Sequence, residues 1–293
     1  MKRLRFVAGA VIVFAGAVLL LMFAGTRESL RASAPPFPAS QSFLGFDRNE
    51  YPGDAGMKIL RHDFSFTGFW LSPPPGEKTN RNSWTGKREF LRAQGFGFLA
   101  LYRGRDSREL KNDSDAKEKG TLDARNAATA AKAEGFSPGS TIFLDIEEGG
   151  RLPSSYHLYL RAFADGIVRD GYRPGVYCSG MPVKEEPGVS ITTAEDIRAS
   201  EAPREFIFWV YNDACPPSPG CALPQEPPPP ATSGIKAAAV WQYAQSPRRK
   251  EFSAHCPAKY APDGNCYAPS DSAHRWFLDL NSSSSPDPSS GSK

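Results

Sequence analysis

The stretch from Thr141 to Gly149 reads Thr-Ile-Phe-Leu-Asp-Ile-Glu-Glu-Gly, a short apolar strand that ends in carboxylates. Because side chains alternate between the two faces of a strand, Asp145 and Glu147 are predicted to point the same way at its C-terminal tip. Like charges placed together repel each other, so they rarely stabilise a fold. Hydrolysis of a glycosidic bond, by contrast, needs a pair of carboxyl groups. A solvated strand end, or an acid that caps the next helix, is the alternative interpretation.

Further acids and aromatic residues lie at the ends of the other predicted strands. These strands are Phe43–Asp47, Phe64–Leu71, Phe98–Arg103, Gly175–Ser179, Glu205–Tyr211, Ala237–Ala244 and Trp276–Leu280. Their candidate functional residues are Asp47, Tyr177, Trp209, Tyr211, Trp241, Gln242, Tyr243 and Asp279. Carboxylates transfer protons, while indole and phenol rings stack on the apolar faces of sugars. A strand tryptophan is more often a core residue and Asp47 could cap a turn, so the hypothesis depends on the coincidence across several strands.

Helices are predicted between several of these strands. One lies near Thr85–Gln94, a second covers Asp123–Phe136 with small residues on one face, and a third runs from Tyr156 to Gly171. Repeated strand–helix units favour a parallel sheet covered by helices, and about eight strands in about 240 residues fit a closed barrel. The predicted fold is therefore a single-domain α/β protein, an irregular (β/α)8 TIM-like barrel. Its site is expected at the C-terminal rim of the strands.

Composition narrows the partners and the cofactors. The formal net charge is +3, and 35 basic residues are scattered among 32 acidic ones, so nucleic acid is not an expected partner. No glycine-rich phosphate fingerprint precedes a helix, which argues against a dinucleotide fold. The four histidines are dispersed and no cysteine pair has zinc-like spacing. Neither a metal nor another cofactor is expected.

The N-terminus predicts export. Lys2, Arg3 and Arg5 precede an uncharged apolar run, Phe6–Gly25, which is typical of a secretory signal or an uncleaved signal anchor. The predicted organisation is a signal peptide or anchor at 1–28, a Pro-rich tether at 29–41, the barrel at 42–281, and a disordered Ser/Pro-rich tail at 282–293. The protein would thus be secreted, or held at the outer side of the membrane if the segment is not cleaved.

Five cysteines in an exported chain suggest disulfides. Cys215 and Cys221 flank one Pro/Gly-containing loop, and Cys256 and Cys266 flank another, so two local bridges are the simplest pairing. Cys178 lies in a predicted strand, opposite in direction to Tyr177, and is expected to be a buried free thiol.

The ordered motifs resemble a known family. Gly-Phe-Asp47, Phe-Leu-Asp145-Ile-Glu147, Gly-Val-Tyr177, Phe-Trp209-Val-Tyr, Trp241-Gln-Tyr243 and Leu-Asp279-Leu-Asn281 are similar to motifs of the glycoside hydrolase family 25 lysozymes. They are closer to the glycoside-hydrolase-like domains once catalogued as domain of unknown function 1906. The resemblance implies an irregular barrel and, in the lysozyme branch, hydrolysis of the β-1,4 bond between N-acetylmuramic acid and N-acetylglucosamine in peptidoglycan. Matched by motif, Glu147 is the general acid, with Asp47, Asp145 and Asp279 around it.

Some features depart from the lysozyme pattern. Glu148 adds an acid beside the pair, and a bulge in the strand would turn it, rather than Glu147, into the groove. Many members of the 1906-like subgroup lack demonstrated activity. The sequence therefore leaves open a non-catalytic glycan-binding or cell-envelope protein, as well as a purely structural barrel.

Overall fold

The computed structural model describes residues 41–76, 81–212, 226–244 and 278–290. In this part of the chain, eight strands close a barrel in the order β1-β10-β9-β8-β5-β4-β3-β2. Their bounds are β1 Phe43–Asp47, β2 Phe66–Trp70, β3 Gly97–Arg103, β4 Thr141–Asp145, β5 Arg173–Ser179, β8 Ile207–Tyr211, β9 Ala238–Ala244 and β10 Asp279–Ser283. The prediction of a single-domain α/β barrel is confirmed.

The last strand runs in the opposite direction to its neighbours. β10 pairs antiparallel with both β1 and β9, whereas the other barrel pairs are parallel. The prediction placed Asp279 near the end of a strand over 276–280, but Asp279 is the first residue of β10. Because β10 is antiparallel, its start lies at the rim where the parallel strands end, and Asp279 pairs with Asp47. The predicted rim position is therefore correct although the predicted strand is shifted.

Five α-helices accompany the described strands, and the sequence pattern predicted three of them, although the start of one was placed too late. The five helices are α1 Asp54–Leu60, α2 Arg88–Ala93, α3 Asp113–Ala133, α4 Ser154–Arg169 and α5 Thr193–Ser200. α3 begins ten residues before the predicted start, because Asn112 caps it by accepting a hydrogen bond from the Asp115 amide. The charged turns that follow carry no apolar periodicity, which explains the error.

The small-residue face of α3 lies against α4. A Cβ atom at Gly120 would collide with the carbonyl oxygen of Tyr159, and one at Gly166 would collide with the Cβ of Ala124. Small side chains at both positions therefore allow the two helix backbones to approach closely. Asp123, which is 1% exposed, joins the same interface by accepting a hydrogen bond from the Tyr159 hydroxyl at 3.0 Å.

A β-hairpin that the sequence analysis did not predict follows β5 at the rim. Its strands, β6 Val183–Glu186 and β7 Val189–Ile191, pair only with each other. Val183 packs against Gly150, whose φ of 78° permits the turn after β4. The hairpin thus lies beside the loop that follows the acidic strand, and α5 begins directly after it.

The expectation of a disordered tail at 282–293 is wrong for the residues up to Ser290. Ser282 and Ser283 belong to β10, and Ser289 is 1% exposed. The Ser289 side chain accepts a hydrogen bond from the Ala100 amide at 2.9 Å, and its carbonyl accepts one from the Thr141 amide at 2.7 Å. The composition of this segment suggested disorder. Its short polar side chains and its backbone groups instead form hydrogen bonds with backbone groups in the first halves of β3 and β4.

Several predictions fall outside the described residues. These are the signal or anchor segment, most of the tether, both proposed disulfides and residues 291–293. Within the described ranges, no helix is both long and apolar enough to cross a bilayer.

Candidate active site at the barrel rim

The predicted carboxylates gather around one tyrosine. Tyr177 lies at the rim end of β5 and is 7% exposed. Its pKa is raised well above the ordinary value, first by burial and then by the negative charges of Asp47, Glu147, Asp279 and Asp145. All four acids are therefore close enough to act on a single hydroxyl. The rim brings them together from β1, β4, the loop after β4, and β10.

A chain of hydrogen bonds fixes Asp47. Its Oδ2 atom accepts from Gln242 Nε2 at 2.9 Å and from Asn281 Nδ2 at 2.6 Å. The Tyr177 hydroxyl donates to Gln242 Oε1 at 2.9 Å, and Trp209 Nε1 donates to Asn281 Oδ1 at 2.8 Å. The side-chain amides of Gln242 and Asn281 thus each accept a hydrogen bond from an aromatic side chain and donate one to the Asp47 carboxylate. These bonds hold Asp47 in one orientation.

Asn281 was quoted in a sequence motif but was not recognised as a site residue. It is fully buried and lies two residues after Asp279, on the same face of β10, which was the available signal. Asn281→Ala should lower the free energy of unfolding by about 2 kcal/mol, because it leaves the buried indole N–H of Trp209 without its acceptor. Urea denaturation measures this change.

Asn212→Ala is the matched control for that measurement. Asn212 also donates to an acceptor near the rim, the carbonyl oxygen of Ser233 at 2.7 Å, but its own side chain is partly exposed. Because the Asn212 side chain is partly exposed, its removal opens a path for water to the Ser233 carbonyl, so the control should lose less stability. Equal losses in the two variants would contradict the proposed role of the Trp209–Asn281 bond.

The two neighbouring glutamates after β4 face different surroundings. The Glu148 carboxylate accepts a hydrogen bond from the Ser107 amide, and the Glu148 carbonyl accepts one from the Thr193 hydroxyl at 3.1 Å. Glu148 is thus held by the loop between β3 and α3. Glu147 is exposed, and its carbonyl accepts a hydrogen bond from the Tyr211 hydroxyl at 3.4 Å. The structure therefore does not support the alternative that Glu148 faces the groove in place of Glu147.

The aromatic residues divide into two groups. Tyr211 is partly exposed, and its ring lies 5.3 Å from that of Tyr177, so it can offer a surface to a ligand at the rim. Trp209 is 0% exposed and is therefore not a stacking surface; it packs edge-on against Tyr177 at 4.7 Å and supports it.

The prediction that Trp241 and Tyr243 bind substrate is also corrected by their position. They alternate with the inward-facing Gln242 on β9, so they point to the opposite side of the strand, where both are buried. Trp241 Nε1 donates to the Asn212 carbonyl at 2.9 Å, and the two rings contact each other. Of the three consecutive residues, only Gln242 reaches the acid cluster.

The remaining candidate groups of the described residues form no metal site. Cys178 is a buried free thiol whose pKa burial raises well above the ordinary value, as expected of a structural cysteine. In residues 41–76, 81–212, 226–244 and 278–290, no three His, Cys, Asp or Glu side chains are arranged to hold a metal ion.

A closed barrel with an acidic rim and this order of motifs defines a glycoside-hydrolase-like α/β protein. The chain belongs to the family described as Rv2525c-like, glycoside hydrolase-like domain, whose model matches residues 60–218. The resemblance found in the sequence is thereby confirmed at the level of the family. A search of curated proteins gave no significant match.

Three solved structures with a similar chain path are from bacteria. An uncharacterised protein of B. stearothermophilus is 21% identical, with 82% of this chain and 94% of that chain covered and a TM-score of 0.49. The Tat-secreted protein Rv2525c of Mycobacterium tuberculosis, solved with HEPES, is 16% identical, with coverage of 83% and 95% and a TM-score of 0.46. The modular autolysin LytC of Streptococcus pneumoniae, solved with a synthetic peptidoglycan ligand, is 13% identical, with coverage of 84% and 47% and a TM-score of 0.46. Similarity at this level is not evidence of a shared activity.

Proposed function

We propose that the protein is an exported glycoside hydrolase of lysozyme type that cleaves peptidoglycan glycan strands. Glu147 donates the proton to the leaving oxygen, and Asp145 assists by orienting the substrate or stabilising the developing positive charge on the sugar. Asp47 or Asp279 activates the attacking water. Tyr177, Tyr211 and Gln242 contact the glycan or position the groups that do.

The observation that carries the proposal is the convergence of four carboxyl groups on Tyr177. The four acids come from three segments of the chain: Asp47 from β1, Asp145 and Glu147 from β4 and the residues directly after it, and Asp279 from β10. Asp145 pairs with Tyr177 across β4 and β5, and Asp47 pairs with Asp279 across β1 and β10. After burial, the charges of these four acids raise the pKa of the Tyr177 hydroxyl. Such a concentration of like charge costs folding free energy, and glycoside hydrolysis is a reaction that requires it. Membership of a glycoside-hydrolase-like family supports the same chemistry.

A second candidate is a non-catalytic glycan-binding or envelope protein on the same barrel. The observation that favours it is the exposure of Glu147, in contrast to the 4% exposure of Asp145. A general acid works best in a dry environment that favours its protonated form, and an exposed carboxyl group lacks that environment before substrate binds. Closure of the groove by the glycan itself would be needed for catalysis.

Export is proposed from the sequence alone. The basic residues Lys2, Arg3 and Arg5 followed by the apolar run at 6–25 fit a signal peptide or anchor. Immunoblotting of fractionated cells, with the apparent mass compared before and after export, distinguishes a cleaved signal from a retained anchor.

The deciding experiment measures product and binding on one preparation. Residues 41–293 are incubated with purified peptidoglycan, and released reducing ends are quantified beside a sedimentation assay of bound protein. Release of reducing ends supports the hydrolase; binding without release supports the glycan-binding module. If the protein neither releases reducing ends nor binds peptidoglycan, the hydrolase and the glycan-binding module are both contradicted. The purely structural barrel then remains.

A further inference from the structure

A cluster of buried charges lies behind the loop that carries Glu147. His157, in the first turn of α4, is 8% exposed and stands between the carboxylates of Asp196 in α5 and of Glu201, the residue that caps the C-terminus of α5. Its Nε2 atom is 3.0 Å from Asp196 Oδ2 and its Nδ1 atom is 2.9 Å from Glu201 Oε1. Asp196 and Glu201 are 0% and 1% exposed. Two carboxylates accept at the same ring, so only the doubly protonated, cationic imidazole satisfies both.

Asp196 joins this histidine to the acidic loop. Its Oδ2 atom also accepts from the Leu152 amide at 2.9 Å, and its Oδ1 atom accepts from Arg151 Nη1 at 3.2 Å. Leu152 and Arg151 end the loop that begins after Asp145 and contains Glu147. The end of that loop next to α4 is therefore held by one buried carboxylate.

The hairpin β6–β7 is tied to the same point. Arg151 Nε and Nη2 bind the two oxygens of Glu185 at 2.7 and 3.0 Å. Arg151 thus connects Asp196 on α5 with Glu185 on the hairpin, while Val183 packs on Gly150. On the far side, Arg161 Nε binds Glu201 Oε2 at 3.0 Å. The charged groups facing His157 are therefore two anions, each shared with an arginine.

We propose that His157 is a positioning residue for the Glu147 loop, and that its cationic form, acting through Asp196, holds the loop and the hairpin β6–β7 against α5. Loss of the proton leaves one ring nitrogen facing a carboxylate with no hydrogen between them. The repulsion weakens the hold of Asp196 on Leu152 and Arg151. We call this arrangement of His157, Asp196 and Arg151 the latch. The catalytic role of the Glu147 loop rests on the proposed function, but the latch itself does not.

The direction of the pH effect follows from the surroundings of His157. The hydrogen bond with Glu201 and the charges of Asp196 and Glu201 outweigh burial and raise the pKa of His157 above 6.5. Burial pushes the pKa of Glu201 upward, but hydrogen bonds from His157 and Arg161 outweigh it and the pKa is lowered. A group whose pKa is raised on folding stabilises the folded state fully at pH values below its pKa in the unfolded chain. That stabilisation is lost as the pH rises through its pKa in the folded protein. The latch should therefore hold at acidic pH and release at alkaline pH.

Hydrogen–deuterium exchange of the full-length protein in mild detergent tests the latch between pH 5 and 9. After correction for intrinsic exchange, residues 146–152 and 183–191 should lose protection as pH rises. The loss should be about tenfold for each unit by which folding raises the pKa. Residues 118–130 of α3 serve as an internal reference and should not follow. His157→Gln should give one low level of protection at all pH values, whereas His62→Gln, at an exposed histidine, should reproduce the wild-type curve.

Three results would overturn the latch: wild-type protection of the loop that does not change with pH, a parallel change in α3, or an unchanged curve in His157→Gln. The wild-type series alone decides the matter if the variant does not fold. If the protein releases reducing ends, His157→Gln should also lower kcat with little change in KM. If it releases none, the proposed function fails while the exchange result still stands.

Discussion

Glu147→Gln should reduce the release of reducing ends from peptidoglycan by about 10²–10⁴-fold, the usual contribution of a general acid. The amide has the shape of the glutamate but no proton to donate to the leaving oxygen. Because the Glu147 side chain is exposed, the variant should fold normally, and binding in the sedimentation assay should persist. The measurement is the initial rate of reducing-end release at several substrate concentrations.

Glu148→Gln is the matched control, since it makes the same change one residue away. Its carboxylate accepts from the Ser107 amide, and a glutamine oxygen can accept the same bond. This variant should keep the rate within a few-fold of the parent. Equal rates in the parent and Glu147→Gln would remove Glu147 from the mechanism. A reduced rate in Glu148→Gln alone would assign the acid to Glu148.

The barrel and its acidic rim could be predicted because their signals are local. Apolar runs of β4 and β5 identify strands, and the residues that end parallel strands meet at one edge. This reasoning brought Asp47 and Asp145 to one rim of the barrel, where the structure also has them, from positions 98 residues apart in the chain. It also placed Tyr177 beside them.

The orientation of individual side chains was predicted less well, although alternation contained part of the answer. Trp241, Gln242 and Tyr243 were assigned together to the site, but consecutive strand residues cannot all face the same way. Gln242 points to Asp47, so its two neighbours point outward. Trp209 was a candidate sugar-binding residue, but its full burial rules out contact with a sugar, and burial depends on residues that are distant in sequence.

The buried polar groups behind the rim could not be predicted. His157 was taken as one of four dispersed histidines, because Asp196 and Glu201 follow it by 39 and 44 residues. Nothing in the local pattern pairs these residues. The hairpin β6–β7 was missed for a related reason: its strands have only four and three residues and are largely exposed, so they are too short to show a clear apolar alternation.

The largest departures from the prediction are the direction of β10 and the defined structure of residues 284–290 after it. A single strand has no local signal for parallel or antiparallel pairing, and the Ser/Pro-rich composition after it is typical of disorder. The segment instead lies under the barrel, at the end opposite the acids. A Cβ atom at Gly97 would collide with the carbonyl oxygen of Pro286, so the chain passes close beneath β3.

Truncation after Ser283 should therefore destabilise the barrel by about 4 kcal/mol, from hydrogen bonds of about 1 kcal/mol each. The lost bonds join Phe98 N to Asp287 Oδ1, Ala100 N to Ser289 Oγ, Thr141 N to Ser289 O, and Ser289 N to Phe98 O, at 2.7–2.9 Å. They satisfy backbone groups in the first half of β3 and at the start of β4. Without them those groups must find water or stay unpaired at the bottom of the core.

Truncation after Ser290 is the control, because it removes only the last three residues and leaves these bonds in place. Urea denaturation of both chains, followed by tryptophan fluorescence, gives the difference in free energy of unfolding. Two chains with the same midpoint would show that residues 284–290 are as dispensable as their composition suggests. A lower midpoint for the shorter chain alone would show that this serine-rich segment is part of the barrel, and that the end opposite the acids limits its stability.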